Sequence, residues 1–380
     1  MSWPLVAIEE FCSTGSGGTP SRNKSEFYNG SIPWIKSGDL RENVVTQASE
    51  FITPEAIEKS SAKLVKSGAI LLAMYGATVG RMALLGIDAA TNQAVCNIIP
   101  DEEKAFPKYV YYALLNKVPE FINNAFGGAQ PNINQGMIKS TKIIFPPLAE
   151  QKRIAAILDK ADSIRRKRQQ AIQLADDFLR SVFLEMFGDL SKDKMTRFGE
   201  VVTLDAKMVD PRGPEYIDLL HFGPDRIEKG TGRLLPALTA REEKLISKKF
   251  LFDESYVLYS KIRPYLKKCA LANSIGLCSA DMYPIKPIEG KTTREFIWLL
   301  LLSNIFTTYT KTLPDRASIP KLNQAELASF EFCLPEYSRQ KKLSKIVRAI
   351  IVMKGKVEND LHESESLFSC LNQKAFRGEL

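Results

Sequence analysis

Few side chains in this sequence could do chemistry, and they are spread thin. Six cysteines (Cys12, Cys96, Cys269, Cys278, Cys333 and Cys370) occur without a Cys-x-x-Cys pair, and the two histidines, His221 and His362, stand far apart. This pattern argues against a zinc site or a disulfide framework and reads as reduced, mostly buried thiols. Two histidines also leave little room for a Ser-His or Cys-His relay. There is no G-x-x-x-x-G-K-[ST] loop to cradle phosphates. The only Pro-Pro, in Phe145-Pro146-Pro147-Leu148, does not match the (Asn/Asp)-Pro-Pro-aromatic motif of an amino-methyltransferase. Pro224-Asp225 followed by Glu242-Glu243-Lys244 can be laid on a metal-dependent nuclease pattern, with Asp225, Glu242 and Lys244 in the working roles. That pattern is loose and frequent in sequence rich in lysine and glutamate. The acidic pairs Glu102-Glu103 and Asp176-Asp177 read as solvated surface. The inventory favours binding over bond-making.

Composition agrees. The 380 residues are 44% hydrophobic, enough for two or three cores at ~100–200 residues per domain. The net charge of +8 suits a polyanionic partner. No apolar run reaches the ~18–20 residues of a membrane span. The opening MSWPLVAIEEFCSTG carries Glu9 and Glu10 and no basic stretch before an apolar one, so it does not read as a secretory leader. A cytoplasmic protein is the expectation.

An internal duplication organises the chain. Pro131-Asn132-Ile133-Asn134-Gln135 returns 189 positions later as Pro320-Lys321-Leu322-Asn323-Gln324. The same offset carries Pro146 onto Pro335, Gln151 onto Gln340, and QKRIAAIL (151–158) onto QKKLSKIV (340–347). Upstream the register is looser: near an offset of 187, GRMALLG (80–86) faces KKCALAN (267–273) and TNQAV (91–95) faces CSADM (278–282). So long a period means two copies of one unit, each a globular part followed by a helix, and not a solenoid.

The helices are plain. From Ala149 to about Phe187 there is no Pro or Gly, and apolar residues recur at Ile154, Ile157, Ala161, Ile164, Ala171, Ala175, Phe178 and Val182. This 3–4 spacing is an amphipathic helix, ending at Gly188. A second begins near Ser338, with Leu343, Ile346, Val347, Ile350, Val357, Leu361, Phe368, Leu371 and Ala375, interrupted at Gly355. An apolar stripe must be buried. The simplest solution packs the two helices antiparallel, with Ile154, Ile157, Ile164, Phe178, Leu343, Ile346, Ile350 and Leu361 between them and a globular part at each end. The competing solution packs each helix on its own globular part or on a partner protein. Gly355 kinks the helix, admits a close neighbour, or is tolerated at ~1 kcal/mol.

The globular parts read as mixed and strand-rich. GAILLAMYG (68–76), AVCNIIP (94–100), YVLYSKI (256–262), TKIIFPP (141–147) and FEFCLPE (330–336) are strand-like. Gly-Gly-Thr-Pro (17–20), Asn-Gly (29–30) and Gly-Gly (127–128) mark turns, and short helices are expected at 53–63, 107–116 and 292–303.

These residues resemble a known family. Ser16-Gly17-Gly18-Thr19-Pro20-Ser21-Arg22, then Phe27-Tyr28-Asn29-Gly30 and Ile32-Pro33-Trp34-Ile35, resemble the opening of a target recognition domain in the specificity subunits of type I restriction–modification enzymes. So does the block Gly68–Gln93, with Tyr75-Gly76 and Thr91-Asn92-Gln93. Pro146-Pro147-Leu148-Ala149-Glu150-Gln151, the helix exit Met186-Phe187-Gly188-Asp189 and the ending Ala375-Phe376-Arg377-Gly378-Glu379-Leu380 also fit. The second half departs: it lacks a Gly-Gly-Thr-Pro start and reads Tyr216-Ile217-Asp218-Leu219 and Arg263-Pro264-Tyr265 instead. The resemblance implies an α+β chain with target recognition domains at 1–148 and 190–336 and conserved helices at 149–189 and 337–380. It implies a non-catalytic subunit that reads a two-part site in double-stranded DNA with an unread spacer. Two modification (methyltransferase) subunits would dock on the helices and restriction (translocase–nuclease) subunits would join them. S-adenosylmethionine, ATP and magnesium would belong to those partners. The same-class alternative is a stand-alone DNA-binding or anti-restriction protein, and the different-class one a protein scaffold.

A DNA reader needs cations for phosphates and a few side chains for base edges in the major groove. The candidates are Lys36, Tyr75, Arg81, Asn92, Gln93, Gln130 and Asn132 in the first domain. In the second they are Lys261, Arg263, Tyr265, Lys268, Ser279 and Arg316. Arg165-Arg166-Lys167-Arg168, mid-helix, either follows phosphates of the spacer or is a solvated or partner-facing stretch.

Overall fold

A computed structural model of the chain describes residues 3–41, 44–124, 132–188, 194–204, 206–314 and 319–380. Contacts divide it into two units: Met1–Arg168 with Asp360–Leu380, and Gln169–Asn359. The division cuts through both long helices, so each unit owns half of each.

In the first unit one sheet has five strands in the order Cys12–Ser16, Val95–Pro100, Ile70–Ala73, Met82–Leu85, Val44–Val45. A second has four: Glu50–Ile52, Tyr28–Ile35, Ala89–Thr91, Leu64–Val65. Leu5–Ala7 pairs with Lys142–Ile144 at the entry to the long helix. Ile70–Ala73 and Met82–Leu85 are buried along their whole length, which is why both read as continuous apolar runs rather than alternating ones. Three short helices complete the unit's globular part: α1 (Pro54–Glu58), α2 (Pro107–Asn123) and α3 (Gln135–Ser140). Proline opens α1 and α2, where its missing N–H is no loss, and the Asn134 side chain caps α3 by accepting from the Met137 amide.

The long helix α4 covers Leu148–Phe187 in 40 residues, about 60 Å at ~1.5 Å per residue. In the second unit, α5 (Arg294–Leu302), α6 (Asn304–Lys311) and α7 (Gln324–Ser329) accompany two four-stranded sheets and the pair Lys194–Arg197 with Glu331–Leu334. The second long helix, α8, covers Tyr337–Ala375. It passes through Gly355 without a break, and a Cβ added there would meet open space. Of the three readings for that glycine, toleration is the one that stands.

The duplication is written in hydrogen bonds. Buried Gln151 accepts from the Phe106 amide at 2.8 Å and donates to the Pro146 and Lys104 carbonyls. Buried Gln340 accepts from the Thr293 amide at 3.1 Å and donates to the Pro335 and Lys291 carbonyls. Each glutamine ties a long helix to the globular part preceding it, and each satisfies both ends of its amide. Next to these knots the second residue of α2, Lys108, pairs with Asp159 of α4 at 2.8 Å. In the second unit the second residue of α5, Glu295, pairs with Arg348 of α8 at 2.9 Å. The position is shared and the charges are inverted.

The helices run antiparallel within each unit. In the first, Arg153 donates to the Leu380 carbonyl at 2.8 Å and Arg168 to that of Asp360. In the second, Lys354 meets Asp176 at 2.5 Å and Arg339 donates to the Met186 carbonyl. The expected apolar seam needs correction. Ile154 and Leu343 are fully buried, and Ile157, Ile346, Ile350 and Leu361 are half-buried. Ile164 and Phe178 are 41% and 50% exposed and belong to none of the buried clusters among the described residues. The buried line on α4 runs through Ile154, Ala155, Leu158 and Ala161, then Ala175, Leu179, Phe183 and Phe187. Phe178 precedes Leu179 by one residue and so points ~100° away from it. Nor do the helices bury only each other. Ile154 and Leu158 share a core with Tyr109 and Tyr112 of α2 and Ala375 of α8. Leu343 and Val347 share one with Phe296 of α5 and Phe183 of α4. Both packing solutions considered from sequence are therefore present, concentrated at the helix ends, with Arg165, Arg166 and the Asp176–Lys354 pair between.

Candidate nucleic-acid interface

In the first unit an eight-residue connection (74–81) joins Ile70–Ala73 to Met82–Leu85, held by its own closing bond and by two neighbouring segments. Met74 donates to the Ala94 carbonyl, Ile133 donates to that of Met74, and Ala73 to that of Arg81, each at 2.8 Å. Asn92 in turn donates to the Ile35 carbonyl at 2.9 Å. These bonds bring Lys36, Tyr75, Arg81, Asn92, Gln93 and Asn132 to one end of the unit. Arg81, Gln93 and Asn132 are exposed; Lys36, Tyr75 and Asn92 are half-buried. Tyr75 packs against the core, and Asn92 Oδ1 is buried without a hydrogen-bond partner among the described residues.

Lys36 is already engaged. Its ammonium sits 2.6 Å from Glu50, whose other oxygen is 2.8 Å from Arg22. The hydrogen bond from Lys36, reinforced by that from Arg22, holds the Glu50 carboxyl below its usual range. Arg22 also lies over the rings of Tyr28 (4.6 Å) and Trp34 (5.2 Å), and the Trp34 indole donates to the Gly18 carbonyl at 3.1 Å. The Gly-Gly-Thr-Pro opening has a steric reason: a Cβ at Gly17 would fall 2.1 Å from the Thr91 carbonyl oxygen, and one at Gly18 2.2 Å from the Ser61 carbonyl carbon.

The second unit repeats this frame. Ser260 donates to the Lys268 carbonyl at 2.9 Å, Lys261 to Asp281 at 3.1 Å, Leu322 to Lys261 at 2.9 Å and Ser279 to Phe222 at 3.1 Å. The same four bonds recur at the same places, so Lys261, Lys268 and Ser279 occupy the positions of Met74, Arg81 and Asn92. Lys261 donates to the Ala280 carbonyl and Lys268 to that of Pro224. Ser279 Oγ accepts from the Asp281 amide. Arg263 and Tyr265 are exposed, Tyr265 by 54%. Gln130 and Arg316 lie outside the described residues.

The nuclease constellation does not assemble. The Glu242 carboxylate accepts from the amide and hydroxyl of Thr239 and Asp225 pairs with Arg226, while Lys244 occupies a left-handed turn. Among the described residues no group of three or more His, Cys, Asp or Glu is placed to hold a metal. Cys12, Cys96, Cys269 and Cys278 are buried, and burial pushes the Cys12 and Cys96 thiols up to about 12, which keeps them protonated and inert.

Sequence reasoning missed two things. Arg22 anchors the aromatic cluster and Glu50, although its motif was visible. Lys267, whose ammonium donates to Asn304 Oδ1 at 2.8 Å, was legible in the GRMALLG/KKCALAN match, which sets it on Gly80.

Known proteins share this fold. A solved type I restriction–modification S subunit from M. genitalium aligns over 99% of this chain and 96% of its own, with a TM-score of 0.62 at 15% identity. Its fold is thus a specificity-subunit fold. The pattern described as "Type I restriction modification DNA specificity domain" matches residues 2–174 and 237–363, and the chain belongs to that family. The EcoDI specificity subunit of Escherichia coli is 27% identical over 72% of this chain and 70% of its own length. The EcoR124I/EcoR124II specificity subunit of the same organism is 36% identical over 39% of this chain and 38% of its own length. The protein is a DNA sequence-recognition subunit, the non-catalytic component of its system.

Proposed function

We propose that each unit reads one part of a two-part DNA site, and that base pairs between the parts go unread. The observation that carries this is the repeated loop frame, one set of backbone hydrogen bonds presenting Tyr75, Arg81 and Asn92 in one copy and Ile262, Lys268 and Ser279 in the other. Equal scaffolds with unlike side chains are what a reader of two unlike half-sites requires. Helix α4 alone is 40 residues, about 60 Å long, against ~34–36 Å for one turn of DNA. Lysines and arginines supply phosphate contacts, so binding weakens steeply with salt.

Catalysis lies with the partners. Two modification (methyltransferase) subunits dock on the helices, where Leu174, Phe178 and Leu184 of α4 and Val352, Met353 and Leu367 of α8 stand exposed. Restriction (translocase–nuclease) subunits complete the enzyme. S-adenosylmethionine, ATP and magnesium are bound by those subunits, and the complex works in the cytoplasm; among the described residues no helix is long and apolar enough to cross a membrane. The test is genome-wide methylation mapping in cells with and without the gene. A split motif that vanishes with the gene is expected; an unchanged methylome would overturn the reading.

A further inference from the structure

The loop that joins the two matched strands has the same length in both units, 74–81 and 261–268, closed by the same bond: Ala73 to Arg81 and Ser260 to Lys268. It also has the same backbone handedness. In the first unit Gly76 and Gly80 have φ of +81° and +80°. Counting along the loop, the matching residues of the second unit are Arg263 and Lys267, with φ of +50° and +51°. Glycine occupies such a conformation freely, whereas a residue with a Cβ does so at a standing cost. The second unit carries that cost twice in five residues, both times with a cation.

The two cations differ in what they do. The Lys267 ammonium donates to Asn304 Oδ1 at 2.8 Å, so its side chain serves the fold. The exposed Arg263 guanidinium makes no ion pair or hydrogen bond with any described residue. Its backbone is fixed: the Arg263 amide donates to the Pro320 carbonyl at 2.8 Å, Leu266 donates back to Arg263 at 2.9 Å, and Pro264 follows immediately. Lys261, Lys268 and Lys321 are its basic neighbours, with Asp281 3.8 Å from Lys261 and 3.9 Å from Lys321.

A strained, rigid backbone under an unpaired guanidinium favours a directional contact over a diffuse one. A phosphate contact would be met as well by a lysine on a relaxed loop. A planar fork fits the O6 and N7 acceptors of guanine, which a point charge matches less well. Resting on the DNA-reading function proposed above, we infer that Arg263 is a specificity-determining residue of the second unit, reading a guanine in the major groove from a position that Gly76 leaves silent in the first.

The test uses the full chain with its partner methyltransferase subunit. The native chain's methylation motif is mapped first, and a split motif there secures the reading on which this rests. With Arg263→Gly, one half of the motif should lose its guanine requirement at one position while the other half is unchanged. In binding to duplexes substituted at that base pair, discrimination should fall roughly 5- to 150-fold. Arg263→Lys, which keeps the charge and loses the fork, should relax the same position. The glycine variant should melt no lower than the native chain, because glycine relieves the left-handed strain. An unchanged motif, a uniform loss of methylation or binding across all sequences, full retention of discrimination by the lysine variant, or a lower melting point for the glycine variant would each overturn the inference.

Discussion

The two units share a frame and differ in what they hang on it. Both tie a long helix to a globular part through one buried glutamine, both hold the reading loop by four matched backbone bonds, and both set a parallel strand pair beside it, Trp34 against Ala90 and His221 against Leu277. They diverge in the segment before that loop. The first unit pairs Tyr28–Ile35 with Glu50–Ile52 and packs Arg22 over its aromatics. The second runs largely without strands from 210 to 248, stabilised by surface pairs such as Arg241–Asp218 and by the His221–Glu243 contact at 2.7 Å. The lesson is a division of labour: what docks the helix is kept in duplicate, and what faces outward is free to differ.

The comparison can be broken at the matched core positions. Ile154→Ala and Leu343→Ala each remove a fully buried side chain where a helix meets its globular part, and each should destabilise its own unit by about 2–5 kcal/mol. Urea unfolding followed by amide exchange should show the loss confined to one unit; a loss spread evenly over both would deny that each unit has its own core. The next effect is at the glutamines. Gln151→Ala and Gln340→Ala each leave a part-buried backbone N–H and two carbonyls without this partner, and Gln340→Ala the Thr292 hydroxyl as well, at about 1–3 kcal/mol, and the two costs should agree within a factor of two by thermal melting. Unequal costs would show that the matched bonds do unmatched work.

The smallest effect sharpens the comparison. Burial alone would raise the Glu295 carboxyl, but the hydrogen bonds from Arg348 and Ser344 outweigh it, and the group titrates below its ordinary range. A depressed carboxyl contributes stability that is full above its unfolded pKa and is lost as pH falls through the folded one. The second unit should therefore weaken in acid, below the ordinary carboxylate range near ~4.3, and Glu295→Gln should flatten that slope while costing about 1–2 kcal/mol at neutral pH. Lys108→Gln should cost less than about 1 kcal/mol, since Lys108 and Asp159 are both more than one-third exposed. An acid limb that survives Glu295→Gln would place the sensitive group elsewhere.

Much of this was legible in the sequence. The long helices, the strands at 70–73, 95–100, 257–260, 142–144 and 331–334, and the duplicated Gln151/Gln340 all followed from periodicity and one fixed offset. Arg81, Asn92, Gln93, Asn132, Lys268 and Ser279 came from the blocks that the offsets aligned, whereas Lys36, Tyr75, Lys261, Arg263 and Tyr265 did not, and Gln130 and Arg316 lie outside the described residues. What was not legible is what periodicity cannot carry. A 3–4 spacing admits Ile164 and Phe178, yet the globular parts claim part of the stripe and leave those two exposed. Gly355 read as an interruption, but a lone glycine within a helix held by tertiary contacts need not break it. The left-handed backbone at Arg263 has no sequence signature, since glycine is the residue that announces such a turn. The partners of Lys36 and Lys268, Glu50 and the Pro224 carbonyl, are set by tertiary packing alone.

The inverted pair beside each glutamine knot does more than add a salt bridge. The two halves follow one pattern, so the exchange of one globular part for the other on a helix can be written out in charges. Lodged wrongly, Lys108 would confront Arg348 and Glu295 would confront Asp159, two repulsions in place of two attractions. The charge order disfavours that exchange, weakly at the exposed Lys108–Asp159 pair and more strongly at buried Glu295.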